Sequence, residues 1–216
     1  MYDLIIAIST RVCSPAHHNL LLQCVESVER FVGLSNKVKI VVVDSDSSDK
    51  SYMAELSKNR HVYIEDIGNT GYEATAFYYA FKRYDAEKYL FLQDSMTLEG
   101  CLPNSNIAIM RYLNTWECAN DRIISIVTKW FENTKWKTTP ANFSMVQFSS
   151  FMAKRKILKH LESMGFYNNL PSGSPGGKDT AESYERYLGA ALTAAGYEQE
   201  MRSNIIPHSK IFVGRQ

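Results

Sequence analysis

Through the first hundred residues, short apolar runs alternate with stretches of helical period. LIIAIS (4–9) is too short and too rich in β-branched residues for a helix, whereas Leu21, Val25, Val28 and Val32 then fall on one helical face. KIVVV (39–43) reads as a second strand, and KSYMAEL as a short helix behind Ser and Asp residues able to cap it. HVYIED is a third strand, GYEATAFYYAFKRY a helix and KYLFLQ (88–93) a fourth strand. Unbroken apolar strands between helices predict a mostly parallel sheet covered on both faces. Such sheets bind ligands at the carboxyl ends of their strands.

Beyond residue 100 the rhythm loosens. SNIAIMRYLNTW predicts a helix, RIISIVTKWF a strand, ENTKWKTTPAN a polar loop and FSMVQFSS a further strand. Ile157, Leu158, Leu161 and Met164 give the next helix a buried face. NNLPSGSPGGK is too rich in Gly, Pro and Ser for regular structure, and Tyr184, Leu188, Ala191, Leu192 and Ala195 mark a last helix. No internal repeat is present, and 216 residues suit one α/β domain.

Composition narrows the function classes. A hydrophobic share of 45% and a charged share of 22% suit a domain with a well-buried core, and a net charge of +1 gives no broad attraction to nucleic acid or a membrane surface. Cys13, Cys24, Cys101 and Cys118 lack metal-site or disulfide-framework spacing, so reduced thiols and a cytoplasmic setting are expected. No stretch reaches the length of a membrane span. The final IFVGRQ shows no tail signal, so one domain of a longer polypeptide stays open.

The candidate chemistry lies in VVVDSDSSD, which ends the second strand with Asp44, Asp46 and Asp49. Asp44, Asp46, Ser48 and Glu55 match positions of an EF-hand calcium loop. Asp49 stands where that loop needs Gly, however, and a strand precedes it instead of a helix. The D-x-D-x-S order also resembles the first motif of haloacid-dehalogenase-type phosphatases, with Asp44 and Asp46 as the reacting pair. In that family the motif closes the first strand and carries Gly where Ser47 stands.

Five segments in order resemble the GT-A-fold glycosyltransferases, most of all the large inverting family 2: IAISTR, VVVDSDSSD, NTGYEATA, YLFLQDSM and GFYNNLPSGSPGGKDTAESYERYLGAALTAAGY. More narrowly, the chain is similar to N-terminal glycosyltransferase domains of chlorovirus glycan-assembly proteins. The resemblance implies an α/β, Rossmann-like three-layer GT-A fold with a mostly parallel, mixed central sheet flanked by helices. Residues 1–100 would bind the nucleotide-sugar, and 101–216 would carry the acceptor site and the catalytic base.

It further implies a UDP-sugar donor, a glycan acceptor and Mn²⁺ or Mg²⁺, with Ser9, Thr10, Arg11, Asp44, Asn69, Gly71, Tyr72, Gln93, Asp94 and Ser95 lining the donor site. Asp94 and His208 would hold the metal. The family's acidic motif has two carboxylates where this chain has Asp94 alone among Gln93, Ser95 and Met96, so substrate phosphates would complete the coordination. Asp179 is the implied base, with Glu182 and Glu185 as substitutes, and Trp130 an acceptor-stacking residue. Each residue has a plainer reading. Asp44, Asp49 and Asp179 can cap helices, Ser9 to Arg11 can form a solvated turn, and His208 can be structural. A sugar-nucleotide-binding module without catalysis is the third alternative.

Overall fold

The computed structural model of the chain describes residues 1–68, 72–113, 119–170 and 178–212. The first half follows the apolar pattern: β1 (Tyr2–Thr10), α1 (Pro15–Phe31), β2 (Val38–Asp44), α2 (Ser51–Leu56), β3 (Val62–Asp66), α3 (Tyr72–Arg83) and β4 (Ala86–Gln93). Next come β5 (Met96–Leu98), β6 (Ile107–Ile109), β7 (Tyr112–Leu113), α4 (Asp121–Glu132), β8 (Met145–Val146) and β9 (Phe151–Lys154). The chain closes with α5 (Arg155–Ser163), α6 (Lys178–Ala194), α7 (Glu198–Ser203) and β10 (His208–Lys210).

Neighbouring strands of the main sheet run β3, β2, β1, β4, β9, β6. The first four are parallel, and β9 is antiparallel to both β4 and β6. This is the α/β, mostly parallel mixed sheet that the sequence predicts. Successive residues face opposite sides. Ile6, Ile8, Ile40, Val42, Leu90 and Leu92 pack with Leu21, Val25 and Val28 of α1, whereas Ile5, Ala7, Val41, Val43, Tyr89 and Phe91 pack with residues of α3, α4, α5 and α6.

Three segments of the second half differ from expectation. RIISIVTKWF is helical, as α4: Asn120 caps its amino end by accepting from the Ile123 amide at 3.0 Å, and only Ile123, Val127 and Phe131 are buried, a four-residue period. The β-branched run hid that period. Conversely, SNIAIMRYLNTW contains β6 and β7 instead of a helix, because Ile107, Ala108 and Ile109 are all fully buried against β9 and both faces of the sheet. FSMVQFSS does not form one strand. Its Met145–Val146 pairs with β7, a 3₁₀ turn spans Gln147–Ser149, and the strand that joins the main sheet, β9, follows it.

Two close approaches set the site's walls. A Cβ at Gly189 of α6 would lie 1.9 Å from the Ser144 carbonyl oxygen, so bare helix backbone rests directly on the segment entering β8. β10 pairs antiparallel with β5, and the Ile211 amide donates to the Ser95 carbonyl at 3.0 Å, which brings the chain's last described strand back to the exit of β4.

Candidate active site

The carboxyl ends of β1, β2 and β4 are fastened to one another. Thr10 Oγ1 donates to Asp94 Oδ2 at 2.7 Å, and the Asp94 amide donates to the Ser9 carbonyl at 3.1 Å. The Arg11 amide also points to Asp94 Oδ2, at 3.4 Å. On the other side, the Ser45 amide donates to the Thr10 carbonyl at 2.9 Å, and the Val12 amide to Ser47 Oγ at 2.7 Å. Thus Ser9, Thr10, Arg11 and Asp94, distant in sequence, form one polar ledge. Ser45 Oγ, buried at the same ledge, has no hydrogen-bond partner among the described residues. Cys24 of α1 supports the ledge from below, its Sγ donating to the Gln93 carbonyl at 3.7 Å. Burial first, and then the charge of Asp94, push its thiol pKa up, which leaves it unreactive.

Asp44 does not face this ledge. It is fully buried, Oδ1 accepts from the Ser47 amide at 2.7 Å, and Oδ2 accepts from the Tyr52 hydroxyl. Burial, then this bond, raise the Tyr52 pKa far above the phenol range. Both carboxylate oxygens are therefore engaged inside the protein, where they hold the turn ahead of α2 and the Tyr52 hydroxyl, and Asp44 caps no helix. The same burial removes Asp44 as a phosphatase nucleophile. Asp46 is exposed and left-handed, with φ 73°, in the turn that Asp44 holds. Asp49 Oδ1 accepts from the Ser51 amide at 2.9 Å, from one residue ahead of the Lys50 N-cap of α2.

Beside the ledge, on the opposite face of β4's end, a second cluster gathers from four elements. Gln93 Nε2 donates to Glu73 Oε1 of α3 at 3.1 Å, while Gln93 Oε1 accepts from the Lys210 ammonium of β10. That ammonium also stands 4.3 Å over the Phe148 ring. The Phe148 amide in turn donates to Glu185 Oε1 of α6 at 2.7 Å. Phe148 and Ser149 are both left-handed, with φ 62° and 52°, conformations that non-glycine residues hold only when their surroundings impose them. The bare backbone of α6 at Gly189 is what lets Glu185 reach this strained turn. Burial, then the neighbouring charge of Glu73, push the Glu185 carboxyl up to about 7, against opposing pulls from the Phe148 amide, Arg186 and Lys210.

The other expected residues scatter. Asp179 lies in the first turn of α6, ion-paired at 3.3 Å with Arg122 of α4. At about 100° per residue it sits roughly 240° around the helix from Glu185, so the two carboxylates cannot serve one point. Glu182, between them, is half-buried. Trp130 is on α4, its ring packed edge-on against Tyr187 at 5.4 Å, which commits much of it to the core. Ser95 follows Asp94, its carbonyl bound by Ile211. Asn69 and Gly71, with the side chain of Tyr72, lie outside the described residues.

The metal expectation joined Asp94 to His208, and the strand register holds the imidazole away from the Asp94 exit. His208 pairs with Leu98, whereas Lys210 pairs with Met96 next to the Asp94–Ser95 exit, so the imidazole lies two residues, about 7 Å, farther along the strand. Its Nδ1 engages the Ile206 carbonyl at 2.9 Å. Among the described residues no three His, Cys, Asp or Glu side chains stand together as a metal site, and an ammonium stands beside the strand end.

No protein-family model and no curated protein sequence matches the chain. Solved structures do match. Residues 1–349 of S. aureus TarS superpose with a TM-score of 0.51 at 13% identity, covering 87% of this chain and 56% of that one. The same protein in complex with UDP gives 0.52 at 14% identity, over 87% and 55%. This chain has the GT-A fold. The mannosyltransferase PcManGT from Pyrobaculum calidifontis, in complex with GDP-Man and Mn²⁺, aligns less closely, at a TM-score of 0.48 and 14% identity over 74% of this chain and 47% of that one. The chain spans little more than half the length of the TarS structures.

Within this GT-A fold, Glu73 and Lys210 escape the sequence reading. Glu73 looks like a favourable first-turn acid of α3. Lys210 carries no motif, and it lies 117 residues from Gln93. Only the return of β10 to the β4 exit brings them together.

Proposed function

We propose that the chain transfers a sugar from a nucleoside diphosphate donor, of the UDP class, to a glycan hydroxyl with inversion at the anomeric carbon. The observation that carries this reading is the joining of the ledge and the Glu73–Gln93–Lys210–Glu185 cluster at one strand end of a GT-A sheet, where open α/β sheets take ligands. The UDP complex of TarS, at 14% identity, supports the choice of probe.

In this reading Ser9, Thr10, Arg11, Ser45 and Asp94 hold the nucleoside, with the orphaned Ser45 hydroxyl supplying a donor or acceptor to it. Asp44 acts only by holding the Ser45–Ser47 turn. Glu185 is the base: a carboxyl poised at about 7 is matched to proton abstraction near neutral pH, which favours it over Asp179 and Glu182. The acceptor oxygen attacks the anomeric carbon as its proton passes to the Glu185 carboxylate. The bond from carbon to diphosphate breaks, and its electron pair leaves with the phosphate oxygen. Trp130 contributes an edge to the acceptor side at most.

Calorimetric titration of the full chain with UDP and with UDP-sugars, followed by assay of UDP release with and without oligosaccharide acceptors, tests the proposal. Binding with acceptor-dependent release is expected. Binding without release would instead favour a sugar-nucleotide-binding module, and absence of binding would refute both.

A further inference from the structure

We infer that the left-handed turn at Phe148–Ser149 positions the base, with the Phe148 amide fixing which oxygen of Glu185 receives the acceptor proton. The inference rests on the transferase reading above and adds to it how the carboxylate is aimed. Three observations carry it. Phe151 of β9 pairs with Phe91 of β4 in antiparallel register, so the residues just ahead of Phe151 lie beside the carboxyl end of β4, at the ligand edge of the sheet. Phe148 and Ser149 hold φ 62° and 52° although neither is glycine, and the buried atoms Gln147 Oε1 and Ser149 Oγ find no hydrogen-bond partner among the described residues. Within the turn itself, Ser150 Oγ donates to the Phe148 carbonyl at 3.1 Å and the Ser150 amide reaches the Gln147 carbonyl at 3.5 Å, weak compensation for strain and two unsatisfied atoms. What the conformation does secure is the 2.7 Å bond from the Phe148 amide to Glu185 Oε1.

Both ends of the turn are anchored. Gly189 lies one helical turn beyond Glu185 on the same face of α6 and rests on Ser144 and Met145, so that face grips the chain at its entry to β8 and again at Phe148. On the far side β9 is held by the main sheet. Relaxing φ at Phe148 and Ser149 between fixed ends rotates the peptide planes and takes the Phe148 amide off Glu185. With Oε1 committed to that amide, Oε2 takes the proton: the acceptor O–H bond breaks, an O–H bond forms at Oε2, and the freed electron pair goes to the anomeric carbon. The amide also favours the charged carboxylate, as do Arg186 of α6 and Lys210 of β10, against burial and the charge of Glu73 of α3.

The test joins NMR titration of the full chain to its pH–rate profile for acceptor-dependent UDP release. In wild type the Phe148 amide resonance should move with the Glu185 carboxyl, at a midpoint of about 7, and lose that movement in Glu185→Gln. Phe148→Gly and Phe148→Asn, which accept the left-handed region, should keep the midpoint and hold kcat within about three-fold. Phe148→Val, whose branched side chain does not, should raise the midpoint by about one unit and lower kcat by roughly 10²-fold, with the donor KM changed less than about two-fold. A residue with only a structural role would lower the folded fraction and leave the midpoint in place. A Phe148 amide that ignores the carboxyl titration overturns the inference alone, and does so whether or not the Val variant folds. So does a folded Val variant with the wild-type midpoint and rate, or a Gly variant whose midpoint moves. A wild type that releases no UDP to any acceptor overturns the transferase reading and this inference with it, even where the amide follows Glu185.

Discussion

Replacing Glu185 with Gln tests stability and chemistry in one variant. The carboxyl ordinarily titrates at 4.5 and here at about 7, raised first by burial and then by Glu73 of α3, and opposed by the Phe148 amide, by Arg186 on its own helix and by Lys210 of β10. The unfolded chain releases this proton near 4.5 while the folded chain keeps it until about 7. The fold therefore binds more protons than the unfolded state across that window, and its stability falls as pH rises through it. The full difference corresponds to about 3 kcal/mol, and solvent reaching the half-buried carboxyl reduces the expected effect to about 1–3 kcal/mol. Gln keeps the acceptor for the Phe148 amide and carries no charge. Glu185→Gln should therefore match wild type at pH 4 and exceed it at pH 8, by roughly 3–9 °C in Tm for a chain of this size. Thermal unfolding at a series of pH values reads this directly. In the same variant transfer should fall ~10²- to 10⁴-fold with UDP affinity kept, and the wild-type rate should climb as pH passes about 7. A stability difference that stays constant from pH 4 to pH 8 would refute the raised carboxyl. Undiminished turnover would move the base to Asp179 or Glu182.

Two further changes probe the scaffold. Gly189→Ala would set a methyl group 1.9 Å from the Ser144 carbonyl oxygen, forcing backbone apart. The strain outweighs the helix-propensity gain of about 1 kcal/mol, and a net loss of roughly 2 kcal/mol is expected, read as a fall of about 4–8 °C in Tm. Stability equal to wild type would refute that close contact. At Asp46, with φ 73°, the Gly variant should be more stable than the Ala variant by about 1 kcal/mol in denaturant titration, and the reverse order would argue against the left-handed turn.

What the sequence discloses depends on whether local pattern or distant pairing decides an element. β1, β2 and β4 were legible because each carries an apolar run buried on both faces, β3 because Val62, Tyr63 and Ile64 make a short β-rich run at the sheet's edge, and α1 and α3 because each keeps its own period. α4 was misread because Ile123, Ile124, Ile126 and Val127 look like a strand until the burial of Ile123, Val127 and Phe131 alone exposes the period. β6 was misread for the opposite reason, since its three residues become a strand only by pairing with β9, more than forty positions on. At the site, Thr10 and Asp94 were expected together and are joined by a 2.7 Å hydrogen bond. Asp44 was misplaced because a carboxylate at a strand end reads identically whether it faces solvent or turns inward to Tyr52. Lys210 and Glu73 were missed because their meaning exists only once β10 and α3 converge on Gln93.

The hydrogen bonds that tie the exits of β1, β2 and β4 have a bearing on selectivity. Side chains and amides from adjoining residues of all three strands are mutually engaged, so a nucleoside held as proposed above would rest on a floor with little slack to follow an altered base. Discrimination between bases would then be set by shape at that floor, while tolerance for different sugars would fall to the walls supplied by the second half of the chain. Exchanging those walls between proteins of this architecture should change which sugar is accepted and leave nucleotide preference as it was.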